Sequence, residues 1–340
     1  MKFRSLGRTG LQVSELCLGA MMFGQWGNPD HDDSIKIIHS ALDAGINFID
    51  TADVYSHGES EEIVGKAIAG RRPELVIATK VNGPMSDDPN HRGNSRRWIV
   101  QECENSLRRL GTDYIDLYQI HRPDPLTDVD ETLGALTDLV RQGKVRYLGS
   151  STFQPSQIVE AQWVAERRGR ERFVCEQPPY SMLVRGVEAE VLDTCQRYGM
   201  GVITWGPLAG GWLSGRWRKG RDDLTSSRSA RLPARYDLSI PANQAKLEAA
   251  DALARVAEEA GLSLIHMALA FVLRHPAVTA VIIGPRTHEH LASQLGAVDV
   301  ELSDDILDQI DAIVIPGTNF SWADAGYAPP GVADLHQRRR

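Results

Sequence analysis

Four side chains that could move a proton follow short apolar runs of the sequence. Asp50 and Tyr55 come after the run Ile46–Ile49, and Lys80 and His121 occupy the same position after two later runs. If the runs are parallel strands of one barrel, their carboxyl ends meet at a single rim, where barrel enzymes carry their active sites. A carboxylate, a phenol, an amine and an imidazole would then converge, and such a set can exchange a proton with a substrate.

Each of the four residues also has a structural interpretation when it is taken alone. Asp50 could cap a loop, Tyr55 could pack at a surface, and Lys80 could be solvated at a strand end. His121 could hydrogen-bond within its own loop. For any single residue the structural role is the more common one, so only the joint arrangement favours chemistry.

Eight apolar runs alternate with segments of helical period along most of the chain. The runs predicted as strands are Leu16–Met22, Ile46–Ile49, Leu75–Thr79, Tyr114–Ile120, Val145–Leu148, Phe173–Glu176, Gly201–Thr204 and Ala280–Ile283. The alternation predicts an α/β fold, a (β/α)8 TIM barrel with some extra helices. Phe3–Leu6 and Leu11–Ser14 flank a glycine-containing turn and predict an amino-terminal β-hairpin that plugs the barrel.

Residues 1–340 are expected to form a single barrel domain, because no repeat or linker divides them. The stretch of about 206–242 is rich in Arg, Ser, Gly and Pro and has no sustained period. It predicts a long loop after the seventh strand, which is a candidate lid or binding loop. A carboxyl-terminal tail of about 316–340 follows the last predicted helix.

Charge and composition argue against several classes of function. The 37 basic and 45 acidic residues leave a net charge of -8, which argues against a nucleic-acid partner. No segment has the apolar length of a membrane span, so we expect no membrane insertion and a cytoplasmic location. The four cysteines are widely spaced and the histidines form no ligand set, so no metal site is expected. A homo-oligomer is compatible with the sequence.

Three blocks of sequence resemble the aldo-keto reductase family. Gly45–Tyr55, Ile77–Lys80 and Asp116–His121 match the family's blocks around its Asp, Tyr, Lys and His tetrad, in the same order. The stretch Thr204–Gly215 is most similar to the branch that contains the potassium-channel β subunits and related bacterial reductases. The resemblance implies a carbonyl reductase whose catalytic tetrad consists of the four residues described above.

Carbonyl reduction delivers a hydride to carbon and a proton to oxygen. A phenol with a pKa near ~10 is a slow acid at neutral pH. We expect the Lys80 ammonium to lower the pKa of Tyr55, and Asp50 to hold that ammonium in place. His121 would orient the substrate by donating a hydrogen bond to its oxygen.

The resemblance also implies a nicotinamide cofactor at the later strand ends, although the sequence has no Gly-x-Gly-x-x-Gly motif of the Rossmann type. Ser151, Thr152 and Gln177 match the residues that hold the carboxamide, with Thr152 standing where many relatives have Asn. Trp205, where many relatives have Tyr, matches the aromatic residue that stacks on the nicotinamide ring.

The resemblance places the contacts to the cofactor's phosphates and adenosine on two further segments of the chain. The residues that match the loop crossing the pyrophosphate are Pro207, Leu208, Gly210, Ser214, Arg216 and Arg218. Gly284 and Arg286 open a helix, and Arg286 matches the residue that grips the 2′-phosphate, which favours NADPH over NADH. His290 and Gln294 fall near the adenine. For the arginines of the loop, a solvated basic surface is an equally good interpretation.

The substrate is expected to be a small aldehyde or ketone. The residues that could wall its pocket are Met22, Phe23, Trp26, Trp98, Phe320 and Trp322. An ordinary core or surface position is at least as good an interpretation for each of them.

Two other functions stay open at this point. A cofactor-binding regulatory subunit with little turnover would use the same fold, as the channel subunits do. The complete tetrad does not exclude that role, but the sequence begins almost directly at the predicted hairpin, without a long amino-terminal extension, and we therefore expect an enzyme. A metal-dependent barrel enzyme acting on sugars would need ligands at several strand ends, and only Asp50 and His121 are candidates.

Overall fold

An antiparallel hairpin lies at the floor of the barrel, as predicted. In the computed structural model, which describes residues 1–221 and 227–338, the hairpin consists of β1 (Phe3–Ser5) and β2 (Gln12–Ser14). Leu6 and Val13 are fully buried and pack against inward side chains of the barrel. The hairpin therefore covers apolar surface at the end opposite the polar rim.

Eight parallel strands form a closed barrel. They are β3 (Leu16–Gly19), β4 (Phe48–Asp50), β5 (Val76–Val81), β6 (Ile115–Ile120), β7 (Val145–Ser151), β8 (Phe173–Gln177), β9 (Gly201–Thr204) and β10 (Ala280–Ile283). Each strand pairs with the next one in the chain, and β10 pairs with β3. The predicted (β/α)8 barrel is confirmed.

Both faces of most barrel strands are buried, which explains why their sequences are apolar runs without alternation. The inner cluster contains Cys17, Phe48, Val76, Ala78, Leu117, Cys175, Ile203, Ala280 and Ile282. Outward-facing residues of the same strands join the larger core under the helices. All four cysteines are buried and unbridged, so they act as small core residues.

Helices surround the barrel. They are α1 (His31–Asp43), α2 (Glu59–Ile68), α3 (Arg96–Leu110), α4 (Val129–Arg141), α5 (Pro155–Arg168), α6 (Val191–Tyr198), α7 (Ser227–Arg231), α8 (Pro241–Glu259), α9 (Leu264–Arg274), α10 (His288–Leu295), α11 (Asp304–Ile313) and α12 (Pro330–Ala333). In α3, Ile99 and Cys103 face the core at helical spacing, Ser95 caps the first turn, and Gly111 ends the helix. Within the described ranges no single helix is long and apolar enough to cross a membrane. Helices α8 and α9 reach the necessary length and apolar composition only when taken together, and a bend of 96° separates them.

The segment after β9 is organised by three aromatic rings. Trp212, Trp217 and Tyr236 are buried, with ring centroids 4.3, 5.2 and 5.6 Å apart. Helix α7 and the 3-10 turn Pro233–Arg235 lie between the second tryptophan and the tyrosine. The predicted loop of about 206–242 thus contains a small apolar core. The sequence did not predict this core, because the three aromatic residues are spaced irregularly along the chain. Its residues 222–226 lie outside the described part of the chain.

The carboxyl-terminal tail crosses the rim of the barrel. The Nζ atom of Lys246, which is almost fully buried in α8, lies 2.6 Å from Asp324 Oδ2. Gly326 has a φ of 77°, and a Cβ atom at this position would lie 2.5 Å from Trp205. Glycine therefore lets the tail lie directly against the indole that follows β9.

Candidate active site

A buried ammonium group organises the candidate active site. Lys80, near the end of β5, has no exposed surface, and its Nζ donates to Asp50 Oδ1 (2.6 Å), to the Thr51 carbonyl oxygen (2.7 Å) and to Tyr55 Oη (3.2 Å). An ammonium has three hydrogens and no acceptor, so all of its donors are used. Tyr55 Oη therefore accepts from Lys80, and the phenol hydrogen is left for another acceptor.

A strained turn after β4 presents this phenol. Tyr55–Gly58 form a 3-10 turn in which Ser56 and His57 have φ angles of 48° and 55°. Such angles are unfavourable for residues other than glycine. Arg109 of α3 braces the turn, because its Cδ would lie 2.7 Å from a Cβ atom placed on Gly58. Two buried carboxylates, on α2 and α3, hold that guanidinium in place.

Asp50 connects Lys80 to the other side of the barrel. Its second oxygen, Oδ2, accepts from Gln177 Nε2 at 2.8 Å and from Gln119 Nε2 at 3.2 Å. The carboxylate thus joins β4 to β5, β6 and β8 through hydrogen bonds. Because Gln177 turns its amide nitrogen toward Asp50, its amide oxygen is left to accept from other groups.

Burial and charge together set the protonation states. Burial raises the pKa of Tyr55; Lys80 acts in the opposite direction and Asp50 adds to the rise. Lys80 lowers the pKa of Tyr55, as expected, but removing the phenol from water has the larger effect, so the net change is a rise. Burial disfavours the Lys80 charge, but Asp50 and Tyr55 outweigh it and raise the pKa of Lys80. Tyr55 is thus a neutral phenol beside a cation.

His121 lies beside the phenol, directly after β6. Its ring is edge-on to that of Tyr55, with the centroids 5.7 Å apart. Burial lowers the pKa of His121 well below its usual value, and the charges of Lys80 and Arg122 lower it further. The imidazole is therefore neutral, and its single N–H can donate to an oxygen held next to Tyr55.

The ends of β7, β8 and β9 form the second half of the site. Ser151 Oγ donates to the Gln177 carbonyl oxygen at 2.9 Å, and Thr152 Oγ1 donates to the Ser151 carbonyl oxygen at 2.6 Å. Thr152 has a φ of 58°, which is unfavourable for a β-branched residue. The buried Nε1 of Trp205 has no hydrogen-bond partner in the part of the chain that the structure describes. A polar wall with an unused N–H is suited to a ligand that carries acceptors.

A buried carboxylate, that of Glu176, shapes the turn after β7. Its oxygens accept from the Ser150 hydroxyl and from the Phe153 N–H, the latter at 3.1 Å. Burial raises the pKa of Glu176 to about 7, although the hydrogen bonds oppose the rise. Glu176 thus ties β8 to the turn that carries Ser151 and Thr152.

Arg286, Arg216 and His290, which were expected at the 2′-phosphate, the pyrophosphate and the adenine respectively, influence one another electrostatically. Burial lowers the pKa of His290, and the charges of Arg286 and Arg216 lower it further. Gly284 is exposed, with open space where a side chain would be, so the start of α10 is accessible. Gln294 is buried on the same helix, and its Nε2 donates to the His290 carbonyl oxygen at 2.8 Å.

Arg218 does not join this group. Its guanidinium pairs with Asp251 at 2.8 Å and with Glu258 at 2.5 Å, both on α8. Because these two carboxylates accept from the Arg218 guanidinium, its position differs from the expected contact with a pyrophosphate. Of the other residues expected in this loop, Pro207 is buried, Leu208 and Gly210 are half-buried, and Ser214 is exposed.

The residues expected around the substrate differ in exposure. Phe23 is fully buried and Trp98 is 2% exposed, and both lie in the main core. They do not wall an open pocket, because protein atoms already cover them. Trp26 lies against Tyr55, with ring centroids 6.1 Å apart. Exposed surface remains on Met22, Phe320 and Trp322.

One residue at the site was not predicted. Arg122 follows His121, and its guanidinium lies over the Trp205 ring, 5.9 Å from the centroid. A single arginine in a proline-containing loop forms no pattern, so its position next to a predicted catalytic histidine was the available signal.

The fold and the site together define a (β/α)8 barrel whose rim carries an Asp, Tyr, Lys and His tetrad. The chain belongs to the aldo/keto reductase family, whose model matches residues 15–315. It is 43% identical over 336 residues to an uncharacterized oxidoreductase, YrpG, of Bacillus subtilis, covering 96% of this chain and 99% of that protein. It is 36% identical to a probable voltage-gated potassium channel subunit beta of Oryza sativa, over 92% and 97% of the two chains. It is also 36% identical to an aldo-keto reductase of Alternaria alternata, over 89% of each chain. The family supports oxidoreductase activity on carbonyl groups.

Replacing Thr152 with Asn should stabilise the protein by about 1 kcal/mol, because Asn tolerates left-handed backbone better than a β-branched residue does. Urea unfolding of the two proteins measures the difference. Thr152→Val is the control, since it keeps the β-branched strain and should not stabilise. A Thr152→Asn protein that unfolds at lower urea concentration than wild type would show that the Oγ1 hydrogen bond matters more than the strain.

Glu176 should make stability fall as pH rises. Its pKa is 4.5 as an ordinary carboxyl and about 7 in the fold, so the folded state holds the proton more tightly. The contribution is complete below about pH 4.5 and is lost as pH rises through about 7, amounting to about 3 kcal/mol. Urea unfolding at pH 5 and 8 should show this loss in wild type and not in Glu176→Gln. Glu160→Gln, at an exposed position of α5, is the control, and an identical pH response in all three proteins would contradict the assignment.

Proposed function

We propose that this protein reduces an aldehyde or ketone to an alcohol with NADPH, and that Tyr55 donates the proton. The observation that carries the proposal is the use of all three Lys80 hydrogens, one of them by Tyr55 Oη. The phenol hydrogen is thereby directed to a group outside the Lys80 network. A carbonyl oxygen held between Tyr55 and His121 is the acceptor that this geometry suits.

The tetrad residues then divide the work of proton transfer. As the carbonyl oxygen gains negative charge, the neutral His121 N–H stabilises it by a hydrogen bond. Tyr55 gives up its proton to that oxygen, and the ammonium of Lys80 stabilises the phenolate that forms. Asp50 keeps Lys80 charged throughout, since it holds the ammonium at 2.6 Å. A reduced nicotinamide, when bound, supplies the hydride to the carbonyl carbon.

The residues at the later strand ends fit such a cofactor. Ser151 and the free amide oxygen of Gln177 suit a carboxamide, and the flat face of Trp205 suits a planar ring. The guanidinium groups of Arg216 and Arg286 suit an extra phosphate, which supports NADPH over NADH.

A regulatory role is the second candidate, because some relatives are named as potassium channel β subunits. A protein of that kind would bind NADPH and turn over slowly with every carbonyl offered. NADPH oxidation against a panel of aldehydes, ketones, keto-sugars and quinones distinguishes the two functions.

Tyr55→Phe should lower kcat by at least about 100-fold while NADPH affinity stays within about 2-fold, because the substitution removes only the proton donor. Stopped-flow single turnovers measure the chemical step, and quenching of tryptophan fluorescence measures NADPH binding. Tyr198→Phe, just before the amino end of β9, is the matched control and should retain wild-type turnover. Wild-type kcat in Tyr55→Phe would exclude Tyr55 as the proton donor.

Arg286→Ala should weaken NADPH binding by about 10-fold or more and leave NADH affinity nearly unchanged, because the proposed partner of the guanidinium is the 2′-phosphate, which NADH lacks. Arg218→Ala is the matched control, since that arginine is already paired with carboxylates. Fluorescence titration of both variants with both cofactors gives the comparison. If Arg286→Ala lost affinity for NADPH and NADH equally, the proposed contact between Arg286 and the 2′-phosphate would be excluded.

A further inference from the structure

Arg122 lies between the two halves of the site. Its Nη1 donates to the His121 carbonyl oxygen at 2.5 Å and to Ser151 Oγ at 3.4 Å. Its guanidinium also lies over Trp205. The side chain therefore borders both the proposed hydrogen-bond donor to the substrate and the proposed cofactor wall.

Arg122 differs from Arg109 and Arg185 in its ion pairing within the described part of the chain. Arg109 pairs with two carboxylates, and so does Arg185. Within residues 1–221 and 227–338, Arg122 forms no ion pair with a carboxylate. The nearby Glu176 accepts from the Ser150 hydroxyl and the Phe153 N–H instead. A partly buried guanidinium that forms no direct ion pair is unfavourable, so an anionic ligand that contacts it would stabilise it.

Two further arginines reach the same rim from the segment after β9. Arg231 lies over Trp26, 5.2 Å from the ring centroid, and Trp26 lies against Tyr55. Arg235 Nη2 donates to the Ala323 carbonyl oxygen at 2.8 Å, in the tail that crosses the rim. Neither forms an ion pair with a carboxylate of the described ranges. Three arginines without a carboxylate ion pair in the described ranges therefore lie at this rim, although the chain as a whole carries a net charge of -8.

We propose that Arg122 binds a carboxylate of the substrate, so that the preferred substrates are aldehydes or ketones that carry a carboxylate near the carbonyl group. The proposal rests on the reductase function proposed above. A planar guanidinium binds a carboxylate through two parallel hydrogen bonds, which fixes orientation as well as charge. With the carboxylate on Arg122, which directly follows His121, the carbonyl group is held at the tetrad end of the site.

Matched acid and ester substrates test the proposal. We expect wild type to have a kcat/KM at least about 10-fold higher for 3-formylbenzoate than for its methyl ester, and the same order for 4-oxobutanoate and its methyl ester. Arg122→Met should lower kcat/KM for the acids by about 10- to 100-fold and for the esters by a clearly smaller factor. For the acids, the kcat/KM of Arg122→Lys should lie between those of wild type and Arg122→Met. Arg167→Met, which removes an arginine stacked on Trp163 of α5, is the control and should behave as wild type.

Equilibrium binding gives a readout that does not depend on turnover. Benzoate, titrated by tryptophan fluorescence with NADP+ present, should bind wild type at least about 10-fold more tightly than Arg122→Met, and benzamide should bind both equally. Benzoate affinity that is unchanged in Arg122→Met overturns the proposal. Equal losses of activity for acids and esters also overturn it, and so does a loss of NADPH affinity as large as the loss of activity. If wild type reduces no carbonyl compound, the reductase function fails, and the benzoate titration still decides the role of Arg122.

Discussion

Burial of the Lys80 ammonium is the constraint on which the rest of the site depends. A charge removed from water is costly unless every donor finds an acceptor, and here Asp50, Thr51 and Tyr55 provide all three. This requires β4 and β5 to end in a fixed register, with Asp50 opposite Ala78, two residues before Lys80. The closed barrel supplies that register, because its hydrophobic interior fixes which side chains point inward.

Backbone strain is concentrated at the same rim. The non-glycine residues with positive φ in the described ranges are Ser56, His57, Asn82, Thr152 and Ala209, and each follows the carboxyl end of a barrel strand. Unfavourable φ angles persist only where rigid surroundings hold them. The strands, together with the side chains of Arg109 and Glu176, provide such surroundings for the turns that carry Tyr55 and Thr152. The barrel thus uses stability gained in its core to hold strained turns at the site.

The tetrad was predictable because each member lies at or directly after the end of an apolar run, and parallel strands bring their carboxyl ends to one rim. The ion pairs of Arg218 were not predictable, because its partners lie 33 and 40 positions later in the chain and meet it only through the packing of α8. Phe23 follows β3 and Trp98 lies in the first turn of α3, and aromatic residues fit a core as well as a pocket. The pKa of Tyr55 is raised because the effect of burial exceeds the opposing effect of the Lys80 charge. The size of neither effect can be obtained without the folded structure.

Gln177 makes the two halves of the site interdependent. An amide side chain can present either its nitrogen or its oxygen, and an ionised carboxylate accepts only from the nitrogen. Asp50 therefore sets the orientation of Gln177 through the 2.8 Å hydrogen bond, and the amide oxygen is left for the proposed cofactor carboxamide. The same carboxylate keeps Lys80 charged beside Tyr55. Asp50 thus holds both Lys80 and Gln177, so a substitution of Asp50 would alter proton donation and the proposed cofactor contact together.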